Sequence, residues 1–146
     1  MINKSFALVL CCLNFHCLFA QTDLVPEDLT KKFFETYAQD PALAISDAFK
    51  TTKWVDENGD GVLSMISQLE GTIALVGDYL GYELLKEKKV GSRFVMYAYL
   101  VYYERQPLRF TLTFYKSGEK WMYFNVKYDD SMDEEVEEAM KVYRSR

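Results

Sequence analysis

The sequence predicts an α+β fold: N-terminal helices packed on a curved antiparallel sheet of about four strands, followed by a C-terminal helix. Three observations carry this. From residue 26 to 76 apolar residues recur every three or four positions, the period of one helix face. From residue 82 to 128 the period falls to two, the alternation of a strand. The two patterns come one after the other instead of interleaving, which favours segregated helices and strands over parallel β–α–β units.

The 146 residues divide into an expected leader and one domain. "MINK" places a positive charge at Lys4, and "FALVLCCLNFHCLFA" is an apolar run of about fifteen residues, the length of a signal-peptide core and short for a membrane span. Cleavage after Ala20 would leave Gln21 first. Residues 1–20 are therefore read as a signal peptide and residues 21–146 as a single domain, exported to the periplasm or beyond. No small residues precede Cys11, Cys12 or Cys17, so a lipid anchor is not expected, and neither is membrane insertion after cleavage.

All three cysteines and the only histidine, His16, lie in that leader. A processed chain would have neither disulfides, thiol nucleophiles, Ser-His-Asp triads nor Cys/His zinc sites. Any catalysis would fall to Asp, Glu, Tyr, Lys or Ser. The chain carries 17 Lys and Arg, one of them Lys4, against 22 Asp and Glu. That acidic balance argues against nucleic acid and against an anionic membrane surface as partners.

The first helix is expected over 26–39. Pro26 suits a first turn, Glu27 and Asp28 suit the positive end of the helix dipole, and Leu29, Phe33 and Tyr37 form the buried stripe. Asp40 then caps a second helix that starts at Pro41 and carries Leu43, Ile45, Ala48 and Phe49. "TTKW" ends it, with Trp54 at the core edge. A third helix is expected over 61–76, with Val62, Met65, Ile66, Leu69, Ile73 and Val76 on its apolar face and Gly77 closing it. Strands are expected at 81–91, 92–104, 108–116 and 120–128. The second is apolar on both faces. The third alternates, with Leu108, Phe110, Leu112 and Phe114 against Arg109, Thr111, Thr113 and Tyr115. In the fourth, Met122, Phe124 and Val126 are expected on the core side and Trp121, Tyr123 and Asn125 opposite. The last helix is expected from Ser131, whose side chain and Glu134 form a capping box.

The order of three helices and four strands, with "YERQPLRF" and "FYK…W" in the sheet, resembles the NTF2-like (cystatin-like) superfamily, in particular small exported bacterial members of undefined function. The resemblance covers most of residues 26–140. It implies a cone of helices against a bent sheet, a cavity between them, and a tendency to dimerise through the outer sheet face. Enzymes of that superfamily, isomerases and cyclases among them, use Asp with Tyr or His. No catalytic motif of theirs is matched here, so no catalytic residue is implied.

Two constellations remain. "DENGDG" at 56–61 places Asp56, Asn58 and Asp60 at the first three ligand positions of a calcium loop, with Gly61 at the sixth. Position twelve is Ser67, where a bidentate Glu belongs. The string is therefore read first as the turn and cap that launch the third helix, and second as a weak calcium module. The other constellation is aromatic. Tyr97, Tyr99, Tyr115, Trp121 and Tyr123 are expected to form a homodimer interface across the sheet, with a carbohydrate or peptide platform as the rival. Glu83, Glu104, Arg93 and Arg109, in or beside strands, are read as rim pairs, with a carboxylate–tyrosine acid–base site as the alternative. The functional expectation is a non-enzymatic exported domain binding a small apolar ligand or a partner protein, without a cofactor. An isomerase- or cyclase-type enzyme is the alternative.

Overall fold

The computed structural model describes residues 24–50, 52 and 54–144, with the backbone alone at 54–58, 138–140 and 142–144. The expected leader and its cleavage point lie outside the described residues, as do the side chains of Trp54, Ala139, Met140 and Tyr143. The fold is α+β: α1 (Pro26–Tyr37), α2 (Pro41–Lys50), α3 (Trp54–Val76), β1 (Tyr79–Lys89), β2 (Phe94–Tyr103), β3 (Leu108–Ser117), β4 (Lys120–Asp129) and α4 (Asp133–Arg144). The strands form one antiparallel meander in the order β1-β2-β3-β4. No described helix is long and apolar enough to cross a membrane.

The joint between α1 and α2 is built as its residues predict. The backbone N–H of Leu43 donates to Asp40 Oδ1 at 2.8 Å, the N-cap bond of α2. Phe33, Phe34 and Tyr37 of α1 and Ala44, Ile45 and Ala48 of α2 are buried. Opposite them lie alternate residues of the sheet: Val95, Tyr97, Tyr99, Val101 and Tyr103, then Leu108, Phe110, Leu112 and Phe114. Small side chains on α2 let it approach α1, while α1 supplies the large rings. Phe34 stacks on Tyr82 with centroids 3.8 Å apart, and Phe33 meets Tyr123 at 6.3 Å.

Three expectations are corrected. The third helix starts at Trp54, not Gly61, so "DENGDG" lies within its first turns. Asn, Asp and two Gly oppose helix locally by roughly 3 kcal/mol in sum, so the long apolar stripe from Val62 onward must carry this end. The last helix starts at Asp133, and the Ser131 N–H donates to Asp129 Oδ1 at 3.0 Å instead of opening a capping box. Finally, β4 contains a bulge. Thr113 pairs with Asn125 but Phe114 pairs with Tyr123, leaving Phe124 unmatched. Alternation therefore changes phase within the strand. Trp121 and Tyr123 share the helix-facing side with Val126 and Tyr128, and Met122 goes to the outer side. Two further irregularities in β1, at Tyr79/Gly81 and Leu84/Lys86, add to the curvature of the sheet.

Candidate functional site

A groove opens between the end of α3 and the β3–β4 side of the sheet. The loop after β2 holds α3 in place. Arg105 donates to the carbonyl oxygens of Leu75 and Ala74 at 2.7 and 3.3 Å, placing a cation on the negative end of the helix. The Asp78 N–H donates to Glu104 Oε2 at 3.2 Å. Gly77 sits between them with φ +93°, and a Cβ there would come within 2.7 Å of Glu104 Oε2. "YERQP" is thus a clamp on the helix end, a role in the fold and not in chemistry.

The groove so held encloses about 360 Å³ and has Leu75, Val76 and Leu108 as apolar wall, with Thr72, Gln106 and Asp130 as polar rim. A shallower recess of about 530 Å³, bordered by Ser64, Met65, Gln68 and Lys127, shares Tyr128 and Asp129 with it. Leu75 is 75% exposed, although it sits on an apolar wall. Asp129 is tied to Arg109, whose guanidinium reaches it at 3.0 Å and also reaches Glu135 at 3.1 Å and Glu134 at 3.5 Å. Arg109 thereby joins the start of α4 to the outer sheet face.

Tyrosines fill the interior behind the groove. The Tyr37 and Tyr103 hydroxyls meet at 2.5 Å, with Tyr79 edge-on to both rings. Burial pushes Tyr103 and Tyr79 up to about 12. Tyr37 is pushed further, by burial and then by the neighbouring Tyr103 hydroxyl. These phenols are neutral donors at physiological pH, not bases.

A second, smaller cleft of about 220 Å³ lies where the start of α1 meets the β1–β2 turn and the start of β4. Its walls include Glu27, Lys89, Ser92, Phe94, Tyr97 and Trp121. The Tyr97 hydroxyl donates to Glu27 Oε1 at 2.7 Å. Burial, then this bond, raise the Tyr97 phenol above its ordinary range.

The aromatic residues singled out in the sequence are divided between these regions. Tyr97, Tyr99 and Tyr123 are buried under the helices, and Trp121 packs partly against the same core. Tyr115 alone is on the outer face, 41% exposed. The expected outward platform is therefore not assembled from this set. The outer face instead carries Phe94, Met96, Tyr115, Met122 and Phe124, with Phe94 and Phe124 edge-to-face at 5.2 Å. Glu83 is paired opposite Leu100 on that face, Arg109 lies beside it, and Glu104 serves the clamp. None is brought together with a tyrosine inside the groove.

The side chains of Asp56 and Asn58 lie outside the described residues, and Asp60 is exposed. An α-helix turns about 100° per residue, so position 58 falls on the opposite side of the axis from positions 56 and 60. Among the described residues no three His, Cys, Asp or Glu gather as a metal site would need. The groove residues Leu75, Gln106 and Tyr128, and Glu27 of the smaller cleft, were not marked as site residues by the sequence. Only the exposure of Leu75, whose helix neighbours one and two turns back are Thr72, Gly71 and Gln68, distinguishes it, and that requires the fold. Against known proteins, the chain matches no family model, no curated protein and no solved structure.

Proposed function

We propose that this chain is an exported, non-enzymatic NTF2-like domain that binds a small, mainly apolar ligand in the groove between α3 and the sheet. The observation that carries the reading is Leu75: a leucine 75% exposed on the wall of a groove of about 360 Å³. Such a pocket, apolar with a few polar groups at its rim, is the usual form of a small-molecule site. Binding without catalysis is supported by the position of the acids. The carboxylates that border the groove are not desolvated as a general base would be: Asp130 is exposed, and Asp129 is half-buried and paired with Arg109.

The test is a titration with Nile red, a neutral polarity-sensitive dye, on the protein and on Leu75→Glu. Full burial of a leucine stabilises by about 2 kcal/mol. Three-quarters of that is roughly 1.5 kcal/mol, or about tenfold in affinity. Leu63→Glu is the control, since Leu63 is 65% exposed on the same helix but lines neither groove nor recess. Dye binding that both substitutions weaken equally would count against the groove.

A homodimer across the outer sheet face is the second reading. It is favoured by Phe124, 48% exposed, and Tyr115, 41% exposed, beside Phe94, Met96 and Met122. A mass in sedimentation that rises with concentration, and no longer does so in Phe124→Glu, is the expected result. A monomer at every concentration would remove this reading and leave the groove untouched.

A further inference from the structure

We infer that the cleft formed by Glu27, Tyr97, Trp121, Phe94, Ser92 and Lys89 binds a neutral polyhydroxylated ring, a single sugar unit. The cleft is separate from the α3 groove and shares no residue with it. Its volume of about 220 Å³ is below the roughly 300–1,000 Å³ of sites for drug-sized ligands, so it admits one ring and not an extended molecule.

The chemistry of the walls selects the ligand. Trp121 supplies apolar aromatic surface for the C–H face of a ring. Glu27 accepts hydrogen bonds, Lys89 donates them, and the Ser92 hydroxyl does both. A cation would meet the Lys89 ammonium on the wall. An anion would meet Glu27, and Glu87 behind it, which pairs with Lys89 at 2.6 Å. A neutral ligand with alternating donors and acceptors meets neither objection.

Glu27 is held ready for this. Its Oε1 accepts the Tyr97 hydroxyl at 2.7 Å, and its Oε2 has no hydrogen-bond partner among the described residues. Tyr97 is itself 2% exposed and fixed between Tyr99 and Phe114, whose ring centroids lie 6.1 and 5.9 Å away. A carboxylate anchored to a buried ring, with one oxygen free beside an aromatic wall, is a prepared acceptor for a ring hydroxyl.

The chain has two tryptophans, so a Trp54→Phe background leaves Trp121 as the sole indole reporter. Methyl glycosides of several hexoses are titrated while Trp121 emission is monitored, with tetramethylammonium and inorganic phosphate as charged comparators. The expected result is a saturable emission change with at least one glycoside and none with either ion. Glu27→Gln, at an exposed position that leaves the core intact, should weaken that binding about tenfold, as loss of a charged hydrogen-bond acceptor does. Tyr97→Phe should weaken it less, because it frees Glu27 without removing it. Failure of every glycoside to shift Trp121 at its solubility limit would overturn the inference. So would equal affinity in Glu27→Gln, or binding of tetramethylammonium or phosphate instead. The Nile red titration of Leu75→Glu reads the other groove and is independent of each of these outcomes.

Discussion

Tyr103→Phe, Tyr37→Phe and the double substitution together measure what the buried hydroxyl pair contributes. Tyr37 is 1% exposed and Tyr103 5%, and their hydroxyls meet at 2.5 Å. Neither hydroxyl hydrogen-bonds any other described group. Removing one therefore strands the other, and a stranded buried polar group costs about 1–3 kcal/mol. Removing both keeps the two rings and gives up only the net value of one hydrogen bond, about 0.5–1.5 kcal/mol. With about 2 kcal/mol for each single change and about 1 kcal/mol for the double, the sum of singles exceeds the double by about 3 kcal/mol, at the upper end of measured couplings. The assay is urea unfolding of the four proteins at neutral pH, compared at a common slope. Additivity within about 0.5 kcal/mol would refute the reasoning, since it would mean that neither hydroxyl depends on the other.

Three other perturbations have defined outcomes. Burial raises Tyr103 and Tyr79 to about 12, and Tyr37 beyond, against about 10 in an unfolded chain. The unfolded chain sheds these protons first, so stability is complete below about pH 10 and is lost as pH rises toward about 12; a urea midpoint that stays flat over that range would contradict this. Gly71→Ala and Gly59→Ala, both within α3 and both with open space where the Cβ would go, should each stabilise by about 1 kcal/mol in thermal unfolding. A Gly59→Ala that destabilises would restore the reading of "DENGDG" as a turn. Arg105→Ala should destabilise by about 1 kcal/mol through loss of its bonds to the α3 carbonyls, and amide exchange should rise in the last turn of α3 but not in α1.

The fold class was legible because the two hydrophobic periods are clean where the backbone is regular. β3 has Leu108, Phe110, Leu112 and Phe114 at strict alternation, and all four are buried. The α1–α2 joint was legible because Asp40 and Pro41 each have one strong local meaning. β2 was not, since Phe94, Met96 and Leu100 are as apolar as Val95, Tyr97 and Val101, and alternation cannot choose a face when both are apolar. The facing of Trp121 and Tyr123 was hidden by one unpaired residue, which leaves no compositional mark. The start of α3 was missed because Asn58, Gly59, Asp60 and Gly61 prefer turns, and helix there rests on the apolar stripe that begins at Val62. The groove and the smaller cleft each combine residues from distant parts of the chain. Glu27 and Tyr97 stand 70 positions apart, and no local spacing announces their meeting.

The unpaired Phe124 gives β4 a property that a regular strand lacks. Remove that one codon and the ladder with β3 closes without interruption. Thr113 already faces Asn125 and Phe114 already faces Tyr123, so every remaining residue keeps its partner and its side of the sheet. Trp121 and Tyr123 would stay beneath the helices, Met122 would stay outside, and the sugar-sized cleft would keep its indole wall. A three-base deletion would thus take one ring from the outer face, the one that meets Phe94 edge-to-face, and leave the interior as it was. The extra residue is an addition to the outside of this domain, and the inside is indifferent to it.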